Sequence, residues 1–143
     1  MIDINYSLRI AYQTALTGIA GTPVFYNLLP PNVSPNNYII FRSITNTDAS
    51  TMNSSDIDCQ ITVEIQTWED GLNSGLDADQ AAREVFTRIL PTQGATLTLD
   101  GAQMISTRLL SDITQQPITF GNRAYVSRVI TFGHKIFLTS DIS

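Results

Sequence analysis

The chain carries very little with which to do chemistry. Its 143 residues include one histidine, His134, and one cysteine, Cys59. A Ser-His-Asp or Cys-His arrangement would have to be built on His134, which stands in a strand-like stretch with no companion motif, so a structural role is expected. Cys59 falls on the apolar side of an alternating stretch and reads as a small buried hydrophobe. Alone it cannot close an intramolecular disulfide, which fits a reducing cytoplasm. No His/Cys cluster has zinc spacing. The carboxylate pairs Asp56/Asp58 and Asp77/Asp79 lack calcium-loop spacing and suit solvation and helix capping. Gly18-Ile19-Ala20-Gly21 is not followed by Lys-Ser/Thr, so no phosphate loop is present. These absences argue against an enzyme and leave no residue set for a metal or a cofactor.

Long apolar runs are missing too, so no membrane-spanning helix is expected. Residues 1–5, Met-Ile-Asp-Ile-Asn, have neither a basic region nor an apolar core of the signal-peptide kind. The sequons at Asn32 and Asn53 therefore read as ordinary polar loops. A basic excess is absent: the formal charge is -5 and the pI near 4.5, which argues against a nucleic-acid binder. Lysine is almost absent. Of eight basic residues, Lys135 is the lone lysine, beside Arg9, Arg42, Arg83, Arg88, Arg108, Arg123 and Arg128. Interfaces favour arginine, and lysine commonly blunts open sheet edges. The bias fits either a compositional habit of the genome or a subunit whose surface is meant to be covered.

What is present is pattern. Residues 57–65 alternate, with Ile57, Cys59, Ile61, Val63 and Ile65 apolar and polar side chains between them. That period of two marks a long strand with one buried face, here continuing to Trp68, which suits a core or interface anchor. Leu8, Ala11, Tyr12, Ala15, Leu16 and Ile19 follow three-four spacing and predict a helix over residues 6–17, ended by Gly18 and Gly21. A second helix is predicted over residues 78–90, with Asp77 as N-cap, Gln80 completing a capping box, and Pro91 stopping it. Its apolar stripe is Ala81, Ala82, Val85, Phe86, Ile89 and Leu90.

Val24 to Leu29 is a short apolar segment, and Pro30, Pro31 and Pro35 hold the extended loop after it. Residues 38–44 predict a strand with two buried faces near its start, and the polar residues 45–56 predict a hairpin loop. Later strands are expected at residues 95–99, 102–113 and 124–132, turning at Asp100-Gly101 and Gly121-Asn122. Arg128 interrupts the apolar face of the last one, and residues 136–143 give no clear pattern. Helix, strands, helix, strands indicates one α+β domain over residues 1–143, a mostly antiparallel sheet packed by two helices, with additional hairpins.

This layout resembles the tail terminator, or tail completion, proteins of long-tailed bacteriophages. The resemblance rests on the first helix, the Pro-rich stretch leading to Tyr38-Ile39-Ile40-Phe41, a polar loop, and the strand Ile61-Thr62-Val63-Glu64-Ile65-Gln66-Thr67-Trp68. The Ala-rich helix around Gln80-Ala81-Ala82-Arg83 and the closing strand Tyr125-Val126-Ser127-Arg128-Val129-Ile130-Thr131-Phe132 complete it. It spans nearly the whole chain as a pattern rather than an invariant motif. Residues 91–118 depart from it, being longer than a compact member needs and carrying two turn signals.

The resemblance implies a virion protein assembled in the bacterial cytoplasm: a homo-oligomeric ring, usually a hexamer, at the head-proximal end of the tail tube. Such a ring stops tube polymerisation and joins the tail to the head connector, while genome DNA passes through the lumen without specific binding. Other readings are a head-completion or baseplate ring, and a monomeric ligand-binding or enzymatic domain. The candidate partner-contact residues are Thr47, Asp48, Met52 and Asn53 in the polar loop and Arg83 and Arg88 on the second helix, with Met52 the one sizeable apolar anchor of the loop.

Overall fold

The computed structural model describes residues 4–19, 22–26, 37–48, 56–70, 76–90, 97–99 and 102–138. Its spine is the alternating stretch, β3 (Asp56–Asp70), paired antiparallel along its whole length with β6 (Arg123–Leu138). Register places Cys59 opposite His134, Ile61 opposite Phe132 and Val63 opposite Ile130. Directly opposed residues share a face of the sheet. Every one of these six is buried, so they form the floor of the core.

Two helices cover that floor. In α1 (Ile4–Leu16), Ile4, Leu8, Ala11, Tyr12 and Leu16 are buried, the stripe that the spacing predicts. It ends where Gly18 takes φ = 95°, a left-handed conformation that costs glycine little. In α2 (Leu76–Ile89), Ala78, Ala81, Ala82, Val85 and Ile89 face inward. Alanines at the contact let the helix lie close to β3, while burying Val85 and Ile89 contributes about 1.5–3 kcal/mol each. Its start at Leu76 precedes the expected N-cap Asp77 by one residue, within the usual uncertainty of a helix end.

The sheet runs β1-β2-β3-β6-β4, adding β1 (Val24–Tyr26), β2 (Asn37–Asp48) and β4 (Ala102–Thr114), with β5 (Ile118–Phe120) also on β6. All pairs are antiparallel except β1 with β2. Since β3 occupies one side of β6 throughout, β4 and β5 share the other, end to end. Pro117 separates them and Gly121-Asn122 closes the turn into β6. The segment that departed from the resemblance thus supplies the arm of one long hairpin.

Three expectations are corrected. Residues 45–48 are not loop: β2 continues through them, pairing Thr45 with Gln60 and Asp48 with Ile57 after a register shift past Ser43. Ladder bonds are made by the main chain, so a long partner strand holds polar residues that have weak strand preference of their own. Residues 97–99 are not a strand; Leu97 and Leu99 are buried around an exposed Thr98 without regular structure, and the turn expected at Asp100-Gly101 lies outside the described residues. The last strand does not stop at Phe132 but runs to Leu138, because His134 and Ile136 continue the buried face.

Candidate functional site

Three buried titratable groups, Tyr12, Cys59 and His134, sit together in the core. Tyr12 on α1 hydrogen-bonds through its hydroxyl to His134 Nε2, and His134 Nδ1 lies 3.0 Å from Thr107 Oγ1 on β4. A neutral imidazole donates from one nitrogen and accepts at the other, so the ring links both hydroxyls without carrying charge. Burial lowers the His134 pKa to about 4. Burial also raises the Tyr12 phenol well above its ordinary value, with the nearby Cys59 adding to the shift. The Cys59 thiol is pushed up to about 11, first by burial and then by the charge of Asp58. Each group is buried and held in its neutral form. Among the described residues no three His, Cys, Asp or Glu side chains gather to hold a metal, and no helix is long and apolar enough to cross a membrane.

The charged arrangement at the surface is better built. Arg128 breaks the apolar alternation of β6 because it ties three elements together. Its Nε donates to Asp112 Oδ1 at 2.8 Å and its Nη2 to Asp112 Oδ2 at 2.5 Å, a forked pair with β4. The remaining arm, Nη1, donates to Asp79 Oδ1 on α2 at 2.9 Å, and the guanidinium lies 5.6 Å from the Phe86 ring centre. The Asp112 hydrogen bond dominates what pushes the Arg128 pKa above its ordinary value.

Arg128, Asp79, Phe86, Thr87 and Arg83 line an open depression of about 470 Å³. A second, of about 810 Å³, lies on the other side of Arg83 and reaches Gly18, Asn37 and Thr67. Arg83 is exposed on the ridge between them. Arg88 is differently engaged. Its Nη1 donates to the carbonyls of Ala15 at 3.1 Å and Thr17 at 2.8 Å, and its Nε stands 3.5 Å from Glu84. A cation there satisfies the carbonyls left open at the end of α1 and locks the helices together. Thr47 and Asp48 lie at the far end of β2, opposite Asp58 and Ile57 of β3. Met52 and Asn53 lie outside the described residues. The structure therefore puts the two groups of candidates on different elements: Arg83 and Arg88 on α2, Thr47 and Asp48 in the β2–β3 ladder.

The sheet face away from the helices is polar and aromatic. Arg42 pairs with Glu64 at 3.5 Å, Tyr38 and Tyr125 hydroxyls meet at 3.3 Å, and Arg123 lies over the Trp68 ring at 5.3 Å. Trp68 packs on Tyr125 with ring centres 5.0 Å apart, so it anchors this face rather than the core.

With this geometry in view, comparison with solved structures is informative. One matching chain belongs to the virion of a native gene transfer agent particle, with a TM-score of 0.60, 19% identity, and coverage of 92% of this chain and 90% of that one. The chain shares its fold with a virion component. A second solved structure matches with a TM-score of 0.54 at 13% identity over 92% of each chain. No protein-family model matches, and no curated protein matches. The strand expected over residues 102–113 is present as β4, but the sequence does not announce that its Ile105, Leu109, Leu110 and Ile113 are exposed. The available signal was the absence of strict alternation there, which a strand with one buried face would show.

Proposed function

We propose that this chain is a structural virion protein that forms a ring at the head-proximal end of a phage tail tube. There it ends tube polymerisation and provides the joint to the head connector. The observation that carries the reading is the fold match, end to end in both chains, with a component of a gene transfer agent virion. The tail-terminator layout of the sequence supports the finer position. The buried, neutral state of Tyr12, Cys59 and His134 agrees with a role in assembly rather than catalysis.

Thr47, Asp48, Met52, Asn53 and Arg83 are proposed to contact the tube or the connector, with Arg88 holding α2 to the end of α1. An acidic chain gives the lumen little phosphate affinity, so DNA passes without the salt-dependent attraction of a basic channel. Disrupting the gene in an otherwise intact phage is expected to give lysates of full heads and unjoined, overlong tails. Normal virions, or defects confined to the baseplate, would reject this position. Arg83→Ala is expected to preserve melting and reduce joined particles; unchanged particle counts would remove Arg83 from the contact.

A further inference from the structure

β4 is an anomaly of the fold. It is thirteen residues long, yet none of them is buried. Six are apolar: Ala102, Met104, Ile105, Leu109, Leu110 and Ile113. Leu109 opposes Phe132 and so lies on the helix-covered face, while Ile113 opposes Val129 on the other. Ile105, Leu109, Leu110 and Ile113 are 50%, 44%, 42% and 57% exposed, and Ile118 of β5 adds another at 55%. Apolar side chains thus stand open on both faces of an edge strand, because α1 and α2 pack over the strands on the other side of the sheet.

An edge of this kind invites pairing, and proteins that must stay apart protect it with lysine, proline or inward charge. β4 has no lysine and no proline, and of its charges, Arg108 and Asp112, the second is already spent on Arg128. Two register shifts, at Ile105 and Leu110, bend the strand. Such bulges discourage indiscriminate strand addition while aiming particular side chains outward. Among the described residues the opposite edge of the sheet is open as well. β1 covers only Ile39, Ile40 and Phe41 of β2, so among the described residues no strand lies beside the rest of β2 on that side. Over it lies α1, anchored by Arg9 above the Tyr26 ring and carrying exposed Tyr6 and Ile10, 61% and 50% accessible.

We infer that the β4 edge, through Ile105, Leu109, Leu110 and Ile113, seats a second copy of this chain, which offers the opposite sheet edge with Tyr6 and Ile10 of its α1. Two different apolar patches at opposite edges make a head-to-tail contact, and repeated rotation closes such a contact into a ring. The size is sufficient. Thirteen residues extend about 43 Å, and a strip roughly 15 Å deep covers some 650 Å². That approaches the roughly 800 Å² each partner buries in a stable complex, before Ile118 is added. The inference deepens the ring reading and rests on it.

The test uses the full chain with Cys59→Ser, to leave no native thiol, in the presence of purified tail tubes. Wild-type, Leu109→Lys/Ile113→Lys, and paired-cysteine proteins are compared by sedimentation, negative-stain imaging and bis-maleimide cross-linking. Both lysines are on exposed positions, so far-ultraviolet spectra and melting should match wild type. The expected result is a ring for wild type and at least a tenfold loss of ring for the double lysine variant. Tyr6→Cys/Ile113→Cys should give a covalent ladder up to the closed ring, whereas Ile113→Cys alone should give none. Rings that persist in the lysine variant would overturn the β4 assignment and leave the ring reading standing. Dimers of Ile113→Cys alone would show β4 meeting β4 and overturn the head-to-tail contact. If the lysine variant melts early, the cross-linking pair decides by itself. A wild type that remains monomeric on tubes would sink the ring and, with it, this interface.

Discussion

Replacing Arg128 by methionine keeps the length and apolar stem of the side chain and removes the fork that joins β6, β4 and α2. The Arg128 side chain is 16% exposed and Asp112 25%, so both are largely withdrawn from water, while Asp79 at 64% is mostly hydrated. Breaking a fully buried pair by deleting one partner costs about 3–5 kcal/mol, because the surviving charge stays buried. Exposed pairs are worth about 0–1 kcal/mol. The Asp112 contact falls between these limits, so Arg128→Met should destabilise by about 2 kcal/mol, with packing on Phe86 retained. For a chain of this size that is a fall in Tm of roughly 8 °C.

A double-mutant cycle apportions the effect. Coupling of Arg128 to Asp112 should be about 1–2 kcal/mol, and coupling to Asp79 no more than about 0.5 kcal/mol. Arg128→Lys, a point charge without the fork, should recover less than half of the loss. Urea unfolding of the four members of each cycle supplies the numbers. Equal coupling to both carboxylates, or a neutral Arg128→Met, would show that exposure and forked geometry do not set the strength of this tie.

Other outcomes are as specific. His134 has an ordinary pKa of 6.5 in the unfolded chain and about 4 when folded, so protons bind the unfolded state first. Its contribution is fully present above pH 6.5 and is lost as pH falls toward 4, about 3 kcal/mol in total. Urea midpoints at pH 7 and 4.5 should show most of that slope in wild type and little in His134→Gln, which itself remains folded at pH 7. Cys59→Ser should fold but lose about 1–3 kcal/mol by placing a hydroxyl among Tyr12 and the core strands. Native Cys59 should resist iodoacetamide at pH 8 and react promptly in urea; rapid native labelling would contradict its burial and raised pKa. Gly133 faces Leu110, whose Cδ1 would stand 3.0 Å from a Cβ added there. Gly133→Ala should cost no more than about 1 kcal/mol because Leu110 can swing from its bulge, whereas Gly133→Val should cost about 1–3 kcal/mol. Equal melting of the two would refute that packing.

The parts of this fold that could be read from the sequence are those where one residue's environment repeats at a fixed interval. β3 alternates because one face is covered by helices along its length, and α1 and α2 show their stripes for the same reason. Arg128 was visible only as a defect in such a pattern. Its purpose needed two partners, Asp79 at a separation of 49 residues and Asp112 at 16, that no local rule connects. Residues 45–48 were misread because their composition favours turns, while the long partner strand that keeps them in the ladder lies beyond a polar segment. Thr47, Asp48, Arg83 and Arg88 are candidates by residue type alone, and only geometry separates Arg83 on its ridge from Arg88 capping α1.

β4 is legible as a strand over residues 102–113, but what its two faces meet is not, for a physical reason. A strand shows a pattern when its two faces meet different media, and beyond Ala102 and Met104, which pack against the core, the apolar side chains of β4 stand without a full cover on either face. If a second copy supplies that cover, the missing half of the pattern is written in another molecule's surface, at Tyr6 and Ile10 rather than along β4 itself. Half-exposed apolar residues on both faces of an edge strand are costly for a lone chain, since only part of their surface is buried in its own fold. Their retention beside a near-absence of lysine makes sense for a surface that is dry in the assembled state, and that is the condition the β4 lysine substitutions would violate.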